Sequence, residues 1–579
     1  MKAWLSLLAI TSACAGTPRR FPFQGPLTVD TDLTPVSLPC RSDPTKKEPN
    51  RVNCMPAEYI SPFAWNQIEN TFFERVSRLL SFDIVKESEN ANSLDEVADS
   101  SWFTNRTGDH KVTPEELVAG DCKPEDILPA ESEVPDGGWV IDKGKANGST
   151  PGFRIDIPDK GKYLLKADTP GEPDRASAAQ VIGANLYHAV GFSTSCEQVI
   201  YVRPSQLKLT PGLVTVSNAG VSSPFDAEAL KKVLDSSTQK GNLVRLAASK
   251  FLPGVPIGPF RYERTRDDDP NDIIDHENRR ELRGSKLLAA WLNHWDAREQ
   301  NSMDTWQASN AKDKQSSPGV VRHYILDTSD TLGGPVAPES LTIRLGFSYT
   351  IDFKDIATDL VTLGMLEHPW DRVEKVPGRE KFGYFSARDF NPEEWKGLYP
   401  NPAFLRMTER DGAWMARLIA RFSRDDIQML MKGGQFSDPT DVDYITDLMV
   451  ARQQIILTRY LTRLSPIADL HRDADGQLCG VDLARLRGVL PENQFRYTAT
   501  QTARGKRWAV PVTVKPEGVV CLAPQSFADP GLPDDSPKRR AVFRLDNGTS
   551  AGSLEIHTYD LGLARGVRVV GLIRHEWSH

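Results

Sequence analysis

Apolar residues recur along this chain at two spacings, and the change from one to the other divides it. From Trp139 the spacing is that of strands. Gly152-Phe153-Arg154-Ile155 and Tyr163-Leu164-Leu165-Lys166 flank a turn at Pro158-Asp159-Lys160-Gly161, and Ile200-Tyr201-Val202 is a further short strand. Between them Ala178, Ile182, Leu186 and Ala189 recur at helical spacing as far as Gly191. After residue 270 helices dominate. Leu287, Leu288, Trp291 and Leu292 mark one apolar face ending at His294, and Trp414, Leu418 and Phe422 mark another. Ser423 with Asp426 reads as a capping box. Ile445, Leu448, Ile455 and Leu461 define a long helix to about residue 463. From about residue 480 the period returns to two, with strands over 507–514, 541–545, 554–559 and 567–573 and a hairpin-type turn at Asp546-Asn547-Gly548. Ahead of all this, 16–60 is a Pro-rich lead-in, and 61–135 holds one helix over 68–80 within an otherwise loop-rich stretch.

This order predicts an α+β protein: a small α+β region over 136–270, a helical region over 271–470 and a small all-β module over 471–579. A chain of 579 residues is long enough for several domains. The formal net charge of −8 gives no electrostatic reason to expect a nucleic-acid partner. No run beyond the N-terminus has eighteen uninterrupted apolar residues, which excludes a polytopic membrane protein.

Residues 1–15 read as an export signal: Lys2 is followed by a short apolar run over 3–10. Ala13-Cys14-Ala15 fits small-residue cleavage, and 11–14 is a poor lipoprotein box that would anchor the chain to a membrane only through lipid on Cys14. The remaining cysteines are Cys40, Cys54, Cys122, Cys196, Cys479 and Cys521, an even set suited to an oxidising compartment. Cys40–Cys54 and Cys479–Cys521 are the favoured pairs because each joins nearby segments; unpaired core thiols are the alternative. The expected location is periplasmic, outer-membrane lipoprotein or extracellular.

The candidate chemistry is a set of oxygen ligands and one lysine. Asp296 follows the helix ending at His294, Asn301 stands five residues further on, and the strand Tyr324-Ile325-Leu326 delivers Asp327 ahead of Gly333-Gly334. Phosphoryl transfer needs a carboxylate to orient the attacking hydroxyl and oxygens to hold a divalent ion against phosphates. Upstream, Lys166 follows a loop containing Gly144, Gly148 and Gly152, where backbone N–H groups can approach an anion.

This order of Gly loop, Lys166, helix, His294-x-Asp296-x4-Asn301 and Asp327 resembles the protein-kinase-like superfamily, in particular its HipA-type, spore-coat CotH-type and secretory-pathway branches. The resemblance covers about residues 135–465 and implies a two-lobed domain with a β-rich N-lobe and a helical C-lobe. It also implies ATP with Mg or Mn, Asp296 as catalytic base, Asn301 and Asp327 as metal ligands, Lys166 as phosphate partner and His294 as a support of the loop. The reaction would be phosphoryl or nucleotidyl transfer from ATP to a hydroxyl on an envelope protein. Trp295 stands where ordinary kinases have Arg, Thr328-Ser329 where they have Phe-Gly, Gln180 where a Glu would pair with the lysine, and the Gly loop is spaced G-x3-G-x3-G rather than G-x-G-x-x-G. Glu172 and Asp174 sit at the helix start, where capping explains them equally well. These departures, and the scarcity of ATP outside the cytoplasm, keep a second class open: a catalytically inactive, kinase-like envelope scaffold.

Other motifs carry less. His575-Glu576-Trp577-Ser578-His579 matches the H-E-x-x-H pattern but follows a β pattern, so it reads as coincidence. Asp473-Ala474-Asp475-Gly476 begins like a calcium loop, but Ala484 fills the twelfth position, so a polar turn is expected. Arg279, Arg280 and Arg283 could pair with the acidic run Asp267-Asp268-Asp269.

Overall fold

The computed structural model describes residues 21–25, 30, 32–42, 52–81, 84–109, 111–145, 150–169, 171–216, 222–334 and 339–576. The fold is mixed α+β. Its first large sheet is built from β1 (Trp139–Gly144), β2 (Gly152–Ile157) and β3 (Gly161–Ala167), then, after helix α1 (Arg175–Val190), from β4 (Glu197–Val202) and β5 (Leu243–Lys250). The spatial order is β4-β5-β3-β2-β1, antiparallel throughout, with Leu207–Leu209 added parallel to β1 and Gln239–Lys240 paired with the start of β5. Trp139, Ile141, Phe153, Ile155, Leu165 and Leu246 fill the core on one side of this sheet.

Helix α1 is buried on nearly every side, and its many alanines (Ala176, Ala178, Ala179, Ala184, Ala189) let it lie close to its neighbours. Helix α2 (Arg280–Leu292) follows, then an antiparallel hairpin of β6 (Ser302–Ala308) and β7 (Gly319–Ile325). Beyond it come α3 (Phe353–Thr362), α4 (Glu409–Ile419), α5 (Arg424–Gly433) and the long α6 (Pro439–Leu461). Leu287, Leu288 and Trp291 of α2 form the main core with Trp414, Leu418, Ile445, Met449 and Ile456. The capping box opening α5 is formed: Ser423 Oγ accepts from the Asp426 amide at 3.2 Å, and the Asp426 carboxylate accepts from the Ser423 amide at 2.8 Å.

Strands return at once after α6. Ile467–Arg472, Leu478–Asp482, Val519–Leu522 and Val512–Val514 make a four-stranded sheet. Lys506–Val510, Thr498–Ala503, Arg540–Asp546, Leu554–Asp560 and Val567–Arg574 make a five-stranded one. The two share a core of Ile467, Leu478, Val520, Leu522, Phe543 and Ile556. They are not free of the helices, because Arg574 on the last strand reaches Asp95 at 2.9 Å. Asp95 also binds Arg280 of α2 at 2.7 Å and lies 3.4 Å from Arg417 of α4.

Several expectations change. The N-terminal helix begins at Phe63 rather than residue 68 and holds one π turn, Glu69–Phe73, between Phe63–Ile68 and Glu74–Leu80. The strand expected over 507–514 is two, because Pro511 has no amide to give a ladder and the chain changes sheet there. The turn at Asp546-Asn547-Gly548 is not a tight hairpin: the next strand starts at Leu554, since Asn547 is turned inward to donate to Asp482 at 3.0 Å. The three arginines around the start of α2 do not serve the run 267–269. Arg279 binds Asp30 and Asp272, Arg280 binds Asp95, and Arg283 is held by the Glu277 carbonyl beside Asp411.

Three disulfides are present: Cys40–Cys54, Cys479–Cys521 and Cys122–Cys196. The first two are the favoured pairs; the third ties the segment before the first sheet to the start of β4. Three such bonds fit an oxidising environment. Among the described residues no helix is long and apolar enough to cross a membrane. Cys14 and the leader lie outside the described residues.

Candidate functional site

Lys166 sits near the end of β3, with Gly152 of β2 and Ala247 of β5 as its cross-strand partners. A Cβ on Gly152 would run into the Leu165 carbonyl oxygen, so only glycine allows the strand to pass this close. The Lys166 side chain is almost fully buried, and its Nζ has two partners among the described residues. It donates to Gln180 Oε1 of α1 at 3.0 Å and lies 3.0 Å from Asp327 Oδ1. Asp327 follows β7 with φ of 39°, a left-handed conformation that Asp tolerates better than most residues. Thr328 Oγ1 donates to the Gln180 carbonyl at 2.9 Å, and the approach depends on Gly183, where a Cβ would fall 2.6 Å from the Thr328 side chain. Burial opposes ionisation of Asp327, yet the charges of Lys166 and Lys145 hold its carboxyl well below the usual carboxylate range. Ser329 Oγ adds a hydrogen bond at 2.6 Å.

Asp296 arrives from the other direction. Helix α2 stops at Asn293, which takes the left-handed conformation common at helix ends, and its side chain accepts from Trp395 Nε1 at 2.9 Å. His294 turns inward: its Nδ1 is 3.0 Å from the Tyr187 hydroxyl and its Nε2 is 3.4 Å from Asp330 Oδ1. Burial pushes the His294 ring down to about 4, so it is neutral at neutral pH. The Asp296 amide donates to Asp330 Oδ2 at 3.0 Å. The Asp296 carboxylate is gripped by Arg298, through Nε and through Nη2 at 3.1 Å, and by Asn301 Nδ2 at 2.9 Å. Asn301 Nδ2 also reaches the Asp296 backbone carbonyl at 2.9 Å. The Asn301 backbone carbonyl accepts from the Leu326 amide at 2.8 Å, which ties the Asp296 loop to the end of β7. Burial raises the Asp296 carboxyl against the pull of Arg298 and Asn301, and burial beside Asp296 raises Asp330 well above the usual range.

Lys166, Asp296, Asn301, Asp327 and Gln180 therefore converge on one place, with His294 behind the loop. The three glycines do less. Gly144 ends β1 against Thr215 and Phe225, Gly152 serves the close strand approach, and Gly148 lies outside the described residues. Asp174 does not cap α1 with its side chain, which instead accepts from the Ser437 amide at 2.9 Å. Asp168 takes the Ser177 amide at 2.9 Å, and Glu172 pairs with Arg175 at 2.5 Å. His575 lies 3.2 Å from Glu555, and residues 577–579 lie outside the described residues. Asp473 forms the expected polar turn, accepting from the Asp475 and Gln477 amides at 3.0 and 2.8 Å.

Four participants are not read from the sequence. Arg298 stands two residues after Asp296, a spacing that could have flagged it, and Asp330 stands three after Asp327. Lys145 donates to the Thr150 carbonyl at 2.5 Å, and burial together with the Lys166 charge pushes it down to about 8 against the pull of Asp327. Glu197 opens β4, buried, accepting from Ser195 at 2.5 Å and Ser249 at 2.6 Å. Burial, opposed by Lys166, pushes it up to about 7. Only the tertiary fold brings these last two near Lys166.

The donor set fits a hard divalent ion. Asn301 commits its Nδ2 to Asp296, and Asp327 commits Oδ1 to Lys166 and Ser329, which leaves Asn301 Oδ1 and Asp327 Oδ2 as the oxygens that could hold such an ion. Two other acidic or thiol groups cluster among the described residues. Glu69, Glu74 and Glu263 are answered by Arg78 and Arg264, and Asp473 neighbours a cysteine pair already joined as a disulfide. Comparison with known proteins finds no matching family model, no matching curated protein and no matching solved structure.

Proposed function

We propose that this chain is a metal- and ATP-dependent phosphotransferase of kinase-like organisation, acting on a hydroxyl of an envelope protein. In this reading the sheet of β1 to β5 with α1 is the smaller lobe, and α2 through α6 make the helical lobe. The observation that carries it is the 3.0 Å contact of Lys166 with Asp327, next to an Asp296 held by Asn301. A lysine on β3, a base and an oxygen ligand on the loop after α2, and a second oxygen ligand at the end of β7 are what phosphoryl transfer requires.

The roles follow from the chemistry of each group. Lys166 exchanges Asp327 for a phosphate oxygen when nucleotide enters, and Gln180 keeps its ammonium in line. A bound Mg or Mn, held by Asn301 and Asp327, would screen the phosphate charge. Asp296 accepts the hydrogen bond of the acceptor hydroxyl and takes its proton as the bond from that oxygen to the γ-phosphorus forms and the bond from the γ-phosphorus to the β–γ bridging oxygen breaks, so that ADP leaves with that oxygen. Arg298 fixes the carboxylate fork and adds positive charge where negative charge gathers on the transferred group. Envelope location, reached by cleavage of the leader or by a lipid anchor at Cys14, belongs to the same proposal, and the three disulfides support export to an oxidising environment.

Gln180 favours a second reading. A neutral amide binds Lys166 without balancing its charge, as suits a scaffold that no longer turns over. Thermal unfolding with ATP and Mn²⁺ separates both readings from a chain with no nucleotide site. A rise in melting temperature that Asp327→Ala abolishes supports the nucleotide site; no rise at millimolar nucleotide rejects it. Transfer of label from γ-labelled ATP then distinguishes the enzyme from the scaffold.

A further inference from the structure

The N-terminal helix is inside out. Its inward residues are polar, with Asn66, Asn70 and Thr71 buried, while its large apolar side chains face solvent. Trp65, Phe73, Leu79 and Leu80 are all more than half exposed, Leu80 at 73%. Helix α3 repeats the pattern: it has no buried residue, and Leu360 and Val361 stand 73% and 85% exposed. The two faces adjoin, because Phe72 of the first helix meets Phe353 of the second edge-on, with ring centroids 5.3 Å apart.

The helix cannot roll to hide this face. Tyr399 donates to Asn66, Gln300 donates to Ser61 Oγ at 2.7 Å just before the helix, and Arg298 lies over the Phe63 ring at 4.4 Å. Arg264 holds Glu74 at 3.0 Å further along. The outward apolar surface is therefore fixed by polar contacts on the inner side.

Size and charge identify what covers it. Eight exposed large apolar side chains on the first helix and seven over 353–366 offer on the order of 1,500 Å², well beyond the ~300–600 Å² of the largest patch on an ordinary monomer. That is ample for the ~800 Å² each partner contributes to a stable interface. A helix that lies on a bilayer carries lysines and arginines on its polar face, whereas α3 carries Lys354 against Asp355 and Asp359. The rim mixes signs, with Arg75, Lys354 and Glu367 exposed and Asp359 half-exposed; Lys354 lies 3.5 Å from Glu394 and Asp359 2.7 Å from His368, so the surface offers both signs to a second copy. We propose that the N-terminal helix and α3 form a two-fold interface with a second copy of this chain.

Sedimentation velocity on the full chain tests this. The expected wild-type species at micromolar concentration has twice the 64.4 kDa chain mass. Leu80→Glu combined with Val361→Glu gives a monomer that keeps the wild-type far-UV spectrum and a single cooperative unfolding transition, since both side chains are exposed in the isolated chain. Leu563→Glu, 83% exposed on the turn before the last strand, leaves the dimer intact. A wild type that stays monomeric, or a double variant that still dimerises, overturns the proposal. So does a monomer that pellets with phosphatidylcholine vesicles, which would make the occupant a membrane. None of these readouts depends on nucleotide, so the interface and the phosphotransfer reading stand or fall separately.

Discussion

Asp330 carries the backbone of Asp296: its Oδ2 accepts from the Asp296 amide at 3.0 Å, while its Oδ1 faces His294 Nε2 at 3.4 Å. The turn between α2 and the loop is thus fixed from behind by a side chain on the segment that also carries Asp327. A carboxylate here is expensive, because burial and the nearby Asp296 charge both disfavour ionisation. Asp330→Asn keeps an acceptor for the Asp296 amide and removes that penalty. It is expected to match or exceed wild-type stability in urea unfolding at neutral pH. Asp330→Ala leaves the amide without a partner and loses about 1–2 kcal/mol. Equal loss in both variants would show that the hydrogen bond is not what Asp330 supplies.

Arg298 gives a sharper test of the proposed chemistry. Its fork spans both oxygens of Asp296, a geometry a lysine cannot reproduce. Arg298→Ala is expected to lower kcat for phosphate transfer by about ten- to hundredfold. KM for ATP should change little, because Arg298 contacts Asp296 and not Lys166. Arg298→Lys falls between. Steady-state rates with labelled ATP check this; a change confined to KM would move Arg298 to the nucleotide side of the site.

Burial beside three arginines makes Asp95 the main electrostatic joint between the last strand and the helices. Arg574, Arg280 and Arg417 all converge on it. Removing it leaves Arg574 without a paired carboxylate among the described residues, and Arg280 and Arg417 with only Asp411 at 3.4 Å and Glu96 at 3.0 Å, so Asp95→Ala is expected to lose about 3–5 kcal/mol in guanidinium unfolding. The pH dependence has a definite sign. Although burial opposes ionisation, the arginines hold the Asp95 carboxyl far below its usual range, so its contribution is full above the unfolded value of 3.8 and fades as pH falls below it. A variant unfolding at wild-type denaturant concentration would mean that the arginines find other partners.

How far the sequence can be read follows from which signals are local. Ser423 and Asp426 lie three residues apart and close a capping box, so the start of α5 is legible from spacing alone. The helical period of Ile445 to Leu461 and the two-residue period of 554–559 are legible for the same reason. Pro511 is also in plain view, and its missing amide is reason enough to split the strand at 507–514. The N-terminal helix reads too short because Phe63 and Trp65 point outward, against the ordinary rule that apolar side chains mark the buried face. Lys166, Asp296, Asn301 and Asp327 can be picked out by residue type and order. Glu197 and Asp330 cannot, because their significance lies in facing Lys166 and the Asp296 amide across the fold. The Cys122–Cys196 pair, separated by 74 residues, is likewise invisible until β4 and the segment before the sheet are seen together.

Glu197 has the opposite pH behaviour to Asp95. It is buried beside the Cys122–Cys196 bond, and burial raises it from 4.5 to about 7 despite the pull of Lys166. A carboxyl raised in the folded state binds its proton more tightly there than in the unfolded chain. Between about pH 4.5 and pH 7 the native state holds a proton that the unfolded state has lost, so stability falls across that window as pH rises. At roughly 1.4 kcal/mol per unit, the fall is at most about 3 kcal/mol. Glu197→Gln keeps a side chain able to meet Ser195 and Ser249 and removes the titration. It is expected to be more stable than wild type at about pH 8 and to show a flatter profile across the window, read by urea unfolding at several pH values. Because the Glu197 charge also acts on Lys166, variant and wild type should bind nucleotide most alike at low pH, where wild-type Glu197 is itself neutral. A variant whose stability tracks the wild-type curve at every pH would place the pH dependence of this region on another group.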